Sequence, residues 1–586
     1  MRYELISPMD FNRTALETVL LNRGIPRAEM EHYLNTTDDD INDWRLLGEE
    51  DIRAGIRAVL QTVQNNQDAL FIVDVDCDGY TSSALLINYL YDLFPLWVEN
   101  HVSWYHHTSK QHGLEDLPID ELSNNIKLIV CADSASNDYV IHEKLCSMGK
   151  VVLILDHHEA PHKSEFAITI NNQLCDYPNK MLSGAGIAWQ FCRAMDEILG
   201  VEFADKYIDL CGEGNLADMM SLTSIETKHI IHRALEHNNN PFFHALAIQN
   251  SYSIGGELTP IGSAFYIIPY INAVVRSGTM QEKDILFRSM LNHEANKKVP
   301  STKRGHKEGD METIITQAIR VVQAVKRRQK KAEDEGMEYL ERLIEMNNMM
   351  EEPVLFFTLE KTSIEPNIRG LVANKIMSKY QRPTIVTVKT INSKGEEVYA
   401  GSARGYGKST IQDFRSVLEQ SGLVSYAQGH AQAFGTEVLI ENLPALKEYF
   451  RIVFKDVPQE PTYYVDYIFY NGNIDPEIIY DIAELKPLWG QDFNEALIAL
   501  EDLTVSKDEI RVLSRDKNPT LRITKSGIEI MKFGLSEEEL ELFDNPPASL
   551  TLTIVGTCAI NEWNGKVTPQ LMITEYEIVS KKKYIF

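Results

Sequence analysis

The sequence lacks the features that would place it in a membrane, in a secretory route or among zinc ribbons. It has no uninterrupted apolar run of roughly 18 residues, so a membrane span is not expected. Its first residues, MRYELISPMDFNRTAL, include acidic side chains and no apolar signal core, so secretion is not expected either. Seven cysteines are scattered without a CxxC pair, which indicates reduced thiols in the cytoplasm and argues against structural zinc.

The chain also has no excess of basic over acidic residues. The chain has 57 basic and 85 acidic residues, a formal net charge of −28. Proteins that coat nucleic acid by bulk electrostatics are usually basic, so the composition disfavours that class. A nuclease is not excluded, because many acids can line a metal site while a local basic channel holds the strand.

The chain of 586 residues is too long for one hydrophobic core, and its texture predicts five segments. Residues 1–49 are predicted to be a helical lead-in. Residues 50–305 alternate strand-like apolar runs with helical stretches, which is typical of an α/β domain with a parallel sheet. A long connecting helix is expected over 306–350 and a second, smaller α/β domain over 351–457. Short strand-like runs over 458–586 predict a C-terminal β-barrel, most simply an OB-fold.

Carboxylates and imidazoles follow three of the strand-like runs at the point where each run ends. In open parallel sheets, ligands bind outside the carboxyl ends of the strands, so we expect these side chains to meet in one crevice. They are Asp74, Asp76 and Asp78 after the first run, Asp133 after the second, and Asp156, His157 and His158 after the third.

This much negative charge in one place needs a counter-ion, because carboxylates within a few ångströms repel one another strongly. Carboxylate and imidazole ligands without thiolate favour Mn²⁺ or Mg²⁺ over structural zinc. Two such ions about 3.5–4 Å apart can activate water and stabilise the leaving oxygen of a phosphodiester. A calcium loop is disfavoured, because an EF-hand needs Glu at its twelfth position and Leu85 stands there. The pattern therefore indicates phosphoryl hydrolysis.

These residues resemble the motifs of the DHH phosphoesterase superfamily, which is named for its Asp-His-His triplet. A further acid, Asp218 in Gly214-Asn-Leu-Ala-Asp-Met-Met, resembles the fourth motif. The resemblance implies a site for two Mn²⁺ or Mg²⁺ ions with Asp133 bridging them. It also implies that Asp156 orients the His pair and that His158 contacts the scissile phosphate. The implied metal ligands are Asp74, Asp76, Asp78, Asp133, His157 and Asp218.

Within the superfamily, residues from about 50 to 500 resemble the RecJ family of single-strand-specific DNA exonucleases. The segments that carry this resemblance include Gln111-His-Gly-Leu114, Pro269-Tyr-Ile-Asn-Ala-Val-Val-Arg276, Gly401-Ser-Ala-Arg404 and Gln428-Gly-His-Ala-Gln-Ala-Phe-Gly435. It implies that 50–305 is the DHH catalytic domain and 351–457 the DHH-associated substrate-binding domain. Two departures stand out: Ala135 replaces a usual Gly, and the Arg ahead of the Gln111 segment is missing, with His106 or His107 nearby.

The resemblance also implies a substrate and a set of contacts. Arg276, Ser402, Arg404 and His430 would hold the terminal 5′-phosphate and the adjacent backbone. The implied activity is metal-dependent 5′→3′ hydrolysis of single-stranded DNA to 5′-mononucleotides, in recombination and repair, with single-strand-binding or replication and repair proteins as partners and no membrane. One alternative is a DHH phosphodiesterase for short oligoribonucleotides or cyclic dinucleotides. Another is a non-catalytic DHH scaffold in a replication complex, which would need broken metal motifs.

Overall fold

The computed structural model describes residues 1–10, 12–108, 111–360, 363–457, 461–515, 517–563 and 565–582. They form two compact units. The N-terminal unit comprises Arg23–Arg327 and Lys486–Asn494, and the C-terminal unit comprises Met1–Asn22, Arg328–Leu485 and Glu495–Phe586. Within the described ranges, no helix is both long enough and apolar enough to cross a bilayer.

Strands and helices are numbered here in chain order. The strands are β1 (Arg2–Leu5), β2 (Asp68–Val73), β3 (Val102–His106), β4 (Ile126–Ala132), β5 (Val151–Asp156), β6 (Ile168–Asn171), β7 (Lys298–Pro300), β8 (Met311–Thr313), β9 (Leu355–Leu359), β10 (Thr384–Ile391), β11 (Glu397–Arg404), β12 (Val424–His430), β13 (Ala433–Leu439), β14 (Thr462–Val465), β15 (Tyr467–Phe469), β16 (Leu497–Ser506), β17 (Ile510–Leu513), β18 (Thr520–Lys525), β19 (Ile528–Phe533), β20 (Ser549–Trp563) and β21 (Lys566–Lys582). The α-helices are α1 (Ala15–Asn22), α2 (Met30–Leu34), α3 (Glu49–Gln64), α4 (Cys77–Leu93), α5 (Pro95–His101), α6 (Tyr139–Ser147), α7 (Gly184–Leu199), α8 (Ile208–Ala217), α9 (Ile225–Glu236), α10 (Pro241–Gln249), α11 (Ser251–Ile254), α12 (Pro260–Tyr266), α13 (Ile268–Ser277), α14 (Met280–Met290), α15 (Ile314–Met346), α16 (Arg369–Tyr380), α17 (Phe414–Gln420), α18 (Leu443–Val453), α19 (Pro476–Ala483) and α20 (Glu537–Asp544).

A five-stranded parallel sheet forms the centre of the N-terminal unit, in the order β3-β2-β4-β5-β6. Its central strands are apolar and buried at almost every position, as parallel strands covered by helices on both faces require. The register pairs Val73 with Ala132, and Ala132 with Leu155. The residues that follow these three positions therefore lie at one edge of the sheet. They are Asp74, Asp133 and Asp156.

The helix that leaves this edge is unusually well buried. All residues of α4 from Cys77 to Leu90 are shielded from solvent, and the helix packs against both α7 and α8. Small side chains from Thr81 to Ala84 permit this close packing of helix on helix. The acidic loop before α4 is therefore carried on a rigid, tightly packed support.

The C-terminal unit contains a second α/β layer arrangement. Its five-stranded sheet has the order β12-β13-β11-β10-β9, with β9 and β10 parallel and the other neighbours antiparallel. Residues alternate across β9: Leu355 and Phe357 pack with the end of α15 and with α16, whereas Phe356 packs with α17 and α18. Helices thus cover both faces of this sheet.

A seven-stranded sheet, in the order β15-β16-β20-β21-β19-β18-β17, forms the rest of the C-terminal unit. The long antiparallel pair β20–β21 shifts register twice, between Thr551 and Leu552 and between Val555 and Gly556. Such bulges bend and twist a sheet, as closure of a barrel requires. The predicted fold class is confirmed: a parallel-sheet α/β domain, a second α/β domain and a C-terminal β domain.

The first residues of the chain differ from the prediction. β1 pairs in parallel with β14, and Tyr3 and Leu5 pack against the core around Tyr463 and Val465. Met1–Asn22 is grouped with the C-terminal unit, whereas the sequence predicts one helical lead-in over 1–49. The prediction missed β1 because a four-residue strand shows too little periodicity, and its partner lies far along the chain.

Candidate metal centre

The loop between β2 and α4 folds two carboxylates back over the start of the helix. Asp74 accepts hydrogen bonds from Nδ1 of His112 at 2.8 Å and from the backbone N–H of Gly113 at 3.2 Å. Asp76 caps α4 by accepting from the backbone N–H of Gly79 at 3.0 Å. A Cβ at position 79 would lie 2.5 Å from the Cβ of Asp74, so this turn requires glycine.

Asp78, in the first turn of α4, has its carboxylate hydrogen-bonded to the N-terminus of α7. It accepts from Oγ of Ser183 at 2.8 Å, from the backbone N–H of Gly184 at 2.7 Å and from that of Ala185 at 3.1 Å. The exposed N–H groups of a helix start stabilise a carboxylate in this way. Asp78 therefore fastens α4 to α7 directly beneath the acidic loop.

Asp133 follows β4 in a strained backbone conformation. Its φ is 72° and that of Ala135 is 76°, both in the left-handed region, which costs about 1 kcal/mol for an L residue. The backbone N–H of Asp133 donates to the carbonyl of Leu155 at 2.8 Å. A Cβ at Gly184 would lie 2.5 Å from the Cα of Asp133, so α7 can approach this turn only through a glycine. The conformation at Ala135 gives a physical reason for the glycine that the family pattern places there.

Asp156 orients the two histidines that follow it. Its buried carboxylate accepts from the backbone N–H groups of His157 at 2.8 Å and His158 at 3.2 Å, and from Nδ1 of His158 at 2.7 Å. Its other oxygen accepts from the backbone N–H of Ser136 at 3.1 Å. Because Nδ1 of His158 is occupied, its Nε2 is the nitrogen left for a ligand or substrate.

Two groups of potential metal ligands come together at this edge of the sheet and share one residue. Within each group, one ligand atom from every residue lies within 4.8 Å of the others. The first group is Asp74, Asp76 and Asp133, and the second is Asp133, His157 and His158. Asp218, at the C-terminal end of α8, places Oδ2 3.3 Å from Nε2 of His157. A residue common to both groups is what a bridge between two cations needs.

The electrostatics of this cluster favour a cation. Burial, together with the charges of Asp74 and Asp78, raises the pKa of Asp76 to about 6. Burial and the charges of Asp78 and Asp76 raise the pKa of Asp218 to about 8, and the pKa of Asp133 is also raised by burial and neighbouring acids. Without a counter-ion, the carboxylates therefore resist ionising together.

Unpaired atoms give the direct test of whether the residues suit a metal. Oδ1 of Asp133 and Nε2 of His157 are buried, lie 3.2 Å apart and have no hydrogen-bond partner among the described residues. Burial lowers the pKa of His157, which favours the neutral imidazole that a metal requires. An unsatisfied buried polar group costs about 1–3 kcal/mol, and a divalent cation coordinated by both atoms would remove that cost. The donor set therefore suits a divalent metal.

Sequence reasoning did not place several residues beside the acidic loop, although it noted His107 near the position of a missing Arg. His107 is buried, bonds through Nδ1 to Asp116 at 2.5 Å, and places its unbonded Nε2 3.9 Å from Asp74. Asn272, on α13, accepts from the backbone N–H of Cys77 at 3.1 Å. Asn272 and His112 both lie in segments that resemble the family, but spacing alone does not show that these segments return to the loop.

The predicted substrate-binding residues lie on both units. Arg276 is exposed on α13, one turn beyond Asn272. In the C-terminal unit, Arg404 of β11 and His430 of β12 both pair with Ala433 of the strand between them, so their side chains share one face of the sheet.

Ser402 lies on that same face, because it precedes Arg404 by two residues on β11. A Cβ at Gly370, at the start of α16, would lie 2.6 Å from Nη2 of Arg404, so the helix start approaches this face closely. Arg404 and Ser402 therefore lie beside a helix N-terminus, and His430 lies on the same face of the sheet. Their contact with substrate stays a prediction.

Comparison with known proteins agrees with this geometry, which is that of a metal-dependent phosphoesterase. Residues 69–214 match the DHH family, N-terminal domain, and residues 465–575 match the RecJ OB domain. The SPbeta prophage protein YorK of Bacillus subtilis (strain 168), which is named for single-strand DNA-specific exonuclease activity, is 31% identical over 586 residues, covering 100% of this chain and 99% of the relative.

More distant relatives extend the likeness. RecJ of Bacillus subtilis (strain 168) is 25% identical over 581 residues, covering 95% of this chain and 67% of that protein. The crystal structure of RecJ in complex with Mn²⁺ from Thermus thermophilus has the same fold, with a TM-score of 0.69 at 18% identity, over 97% of this chain and 76% of that one. The chain belongs to the DHH family and, within it, to the RecJ-like exonucleases.

Proposed function

We propose that this protein is a 5′→3′ exonuclease that hydrolyses single-stranded DNA to 5′-mononucleotides with two Mn²⁺ or Mg²⁺ ions. The observation that carries the proposal is the pair of ligand groups that share Asp133. The substrate class is supported by the names of the relatives, which are single-strand DNA-specific exonucleases. We place its action in the cytoplasm, in recombination and repair, with single-strand-binding or replication and repair proteins as partners.

The roles of the residues follow from their contacts. Asp74, Asp76, Asp133, His157 and Asp218 would hold the ions, which when bound supply an activated water and neutralise charge on the phosphate. Asp156 fixes the ring of His158, so that Nε2 can donate a hydrogen bond to a non-bridging oxygen of the scissile phosphate.

Asp78 differs from the other predicted ligands. Both of its oxygens already accept hydrogen bonds from the start of α7. We therefore assign it the positioning of the acidic loop, in addition to any contact with an ion.

Recognition of the end of the strand is assigned to the predicted phosphate-binding residues. Guanidinium groups bind phosphate oxygens through paired hydrogen bonds, and a hydroxyl adds a short one. We propose that the side chains that contact the 5′-phosphate and neighbouring backbone are Arg276, Ser402, Arg404 and His430. Holding the terminal phosphate would make hydrolysis begin at the 5′ end.

A degradation assay tests this proposal. Strands labelled at the 5′ or 3′ end, as single-stranded DNA, duplex DNA, single-stranded RNA and short oligoribonucleotides, would be incubated with Mn²⁺ or Mg²⁺. The wild type should release 5′-mononucleotides from single-stranded DNA, beginning at the 5′ end. Asp133→Ala should abolish release, whereas Asp120→Ala, an exposed acid of the same unit, should not change it.

Four results would reject the proposal. Equal degradation of duplex and single strand would exclude single-strand specificity. Preference for short oligoribonucleotides would favour the phosphodiesterase alternative. Full activity of Asp133→Ala would exclude the metal assignment, and absence of hydrolysis by the wild type with either metal would favour a non-catalytic scaffold.

A further inference from the structure

One helical stretch of the N-terminal unit differs in charge from the rest of the chain. From His237 to Gly278 the sequence contains a single acidic residue, Glu257, although the whole chain has 85 acidic residues in 586. A polyanion approaching most of this protein meets repulsion, because the net charge is −28. This stretch, which includes α10 to α13, itself adds almost nothing to that repulsion.

The same stretch exposes aromatic rings to solvent. Tyr252 is 99% exposed, Phe265 67% and Tyr266 39%. A hydrogen bond from Nδ2 of Asn250 to the carbonyl of Tyr266, at 2.7 Å, holds the start of α11 beside the end of α12. We call Tyr252, Phe265 and Tyr266 the aromatic face. Single exposed aromatics are ordinary, but three exposed rings on two adjacent short helices indicate a binding surface.

One helix of the aromatic face, α12, contacts a metal-bearing element directly. On the buried side of α12, Oγ of Ser263 donates to Glu213 of α8, the helix that ends at Asp218. On the next helix, α13, Asn272 accepts a hydrogen bond from the backbone N–H of Cys77, the residue after Asp76. A ligand bound on the aromatic face would therefore lie on a helix that packs against α8, which ends at Asp218.

We propose that the aromatic face is a stacking platform for unpaired bases of a single strand whose cleaved end lies at the metal centre. This inference rests on the proposed function. Aromatic rings stack on bases of any sequence. Because this stretch has a single carboxylate, it repels the phosphates between those bases only weakly. Because paired bases present no free faces to a ring, such a platform also favours single strands over duplex.

Steady-state hydrolysis with Mn²⁺ tests the platform in the full-length enzyme. The substrates are 5′-phosphorylated single strands of about 20 nucleotides, with bases throughout or with an abasic interior. The variants are Tyr252→Ala and Phe265→Ala, and the control is Phe166→Ala, which removes an exposed ring elsewhere in the same unit. For the normal strand we expect KM to rise roughly fivefold for each ring removed, with kcat unchanged. For the abasic strand neither variant should differ from the wild type.

Each other outcome has a defined meaning. Unchanged KM in both variants, with the wild type active, overturns the platform and leaves the proposed function intact. An equal rise for normal and abasic strands overturns base stacking. If the wild type is a dimer, and Tyr252→Ala is a monomer with unchanged KM, the aromatic face is a self-association surface instead. Failure of the wild type to hydrolyse either strand is a failure of the proposed function itself.

Discussion

Gly184→Ala is the substitution that tests most specifically how the fold builds the metal centre. The new Cβ would lie 2.5 Å from the Cα and 2.7 Å from Oδ1 of Asp133, whereas ordinary contacts are 3.4–4 Å. Asp133 or the start of α7 must therefore move by about 1 Å, a displacement that can lower catalysis about 100-fold. Overpacking of this kind also destabilises by about 1–3 kcal/mol.

The assay combines metal affinity, kcat/KM and unfolding by urea. We expect Gly184→Ala to bind Mn²⁺ at least tenfold more weakly and to lose about 100-fold in kcat/KM. The control is Gly200→Ala at the other end of α7, where φ is 68° and no atom lies within 4 Å of the new Cβ. This variant should lose about 1 kcal/mol of stability through backbone strain alone, with metal affinity and kcat/KM unchanged. Wild-type Mn²⁺ affinity and activity in Gly184→Ala would refute the close-approach argument.

Three further predictions concern pH, backbone strain and phosphate recognition. Without metal, the folded state keeps protons on Asp76 (pKa about 6) and Asp218 (pKa about 8) that the unfolded chain releases near pH 4. Mn²⁺ must displace those protons, so the increase in Tm that Mn²⁺ gives over EDTA should grow as pH rises from about 4 to 8. An increase in Tm that is the same at every pH would contradict the charge cluster. Ala135→Gly should stabilise the protein by about 0.5–1 kcal/mol in urea unfolding without changing activity, and a loss of stability would show that the left-handed turn is not strained. Gly370→Ala should displace the guanidinium of Arg404 and weaken the preference for 5′-phosphorylated strands several-fold. The stability of the protein should not change, because the far end of a side chain moves easily. An unchanged preference would exclude Arg404 from phosphate binding.

The carboxylates that follow the strands of the candidate site could be predicted from the sequence because their pattern is local. Each apolar run ends in an acid, and parallel strands in register bring those acids to one edge, as Asp74, Asp133 and Asp156 show. Asp218 was accessible only through family resemblance, since no strand-like run precedes it. Its position depends on the packing of α8, which local pattern does not reveal.

Other parts of the site depend on contacts that no local pattern contains. His112 lies 38 positions from Asp74, and Asn272 lies 195 positions from Cys77, yet each pair is hydrogen-bonded. The hydrogen bonds between Asp78 and the start of α7 also depend on helix packing. The sequence could therefore suggest Asp78 as a metal ligand, but it could not show that its oxygens already accept these bonds. β1 was missed for the same reason, because its partner strand β14 is distant in the chain.

Isothermal titration calorimetry with Mn²⁺ tests whether Asp133 joins two cations in one centre. We expect the wild type to bind two ions per chain. Asp133→Asn should lose at least one of them and bind the other much more weakly. Two undiminished sites in Asp133→Asn, or no Mn²⁺ bound by the wild type, would contradict a metal centre built around this residue.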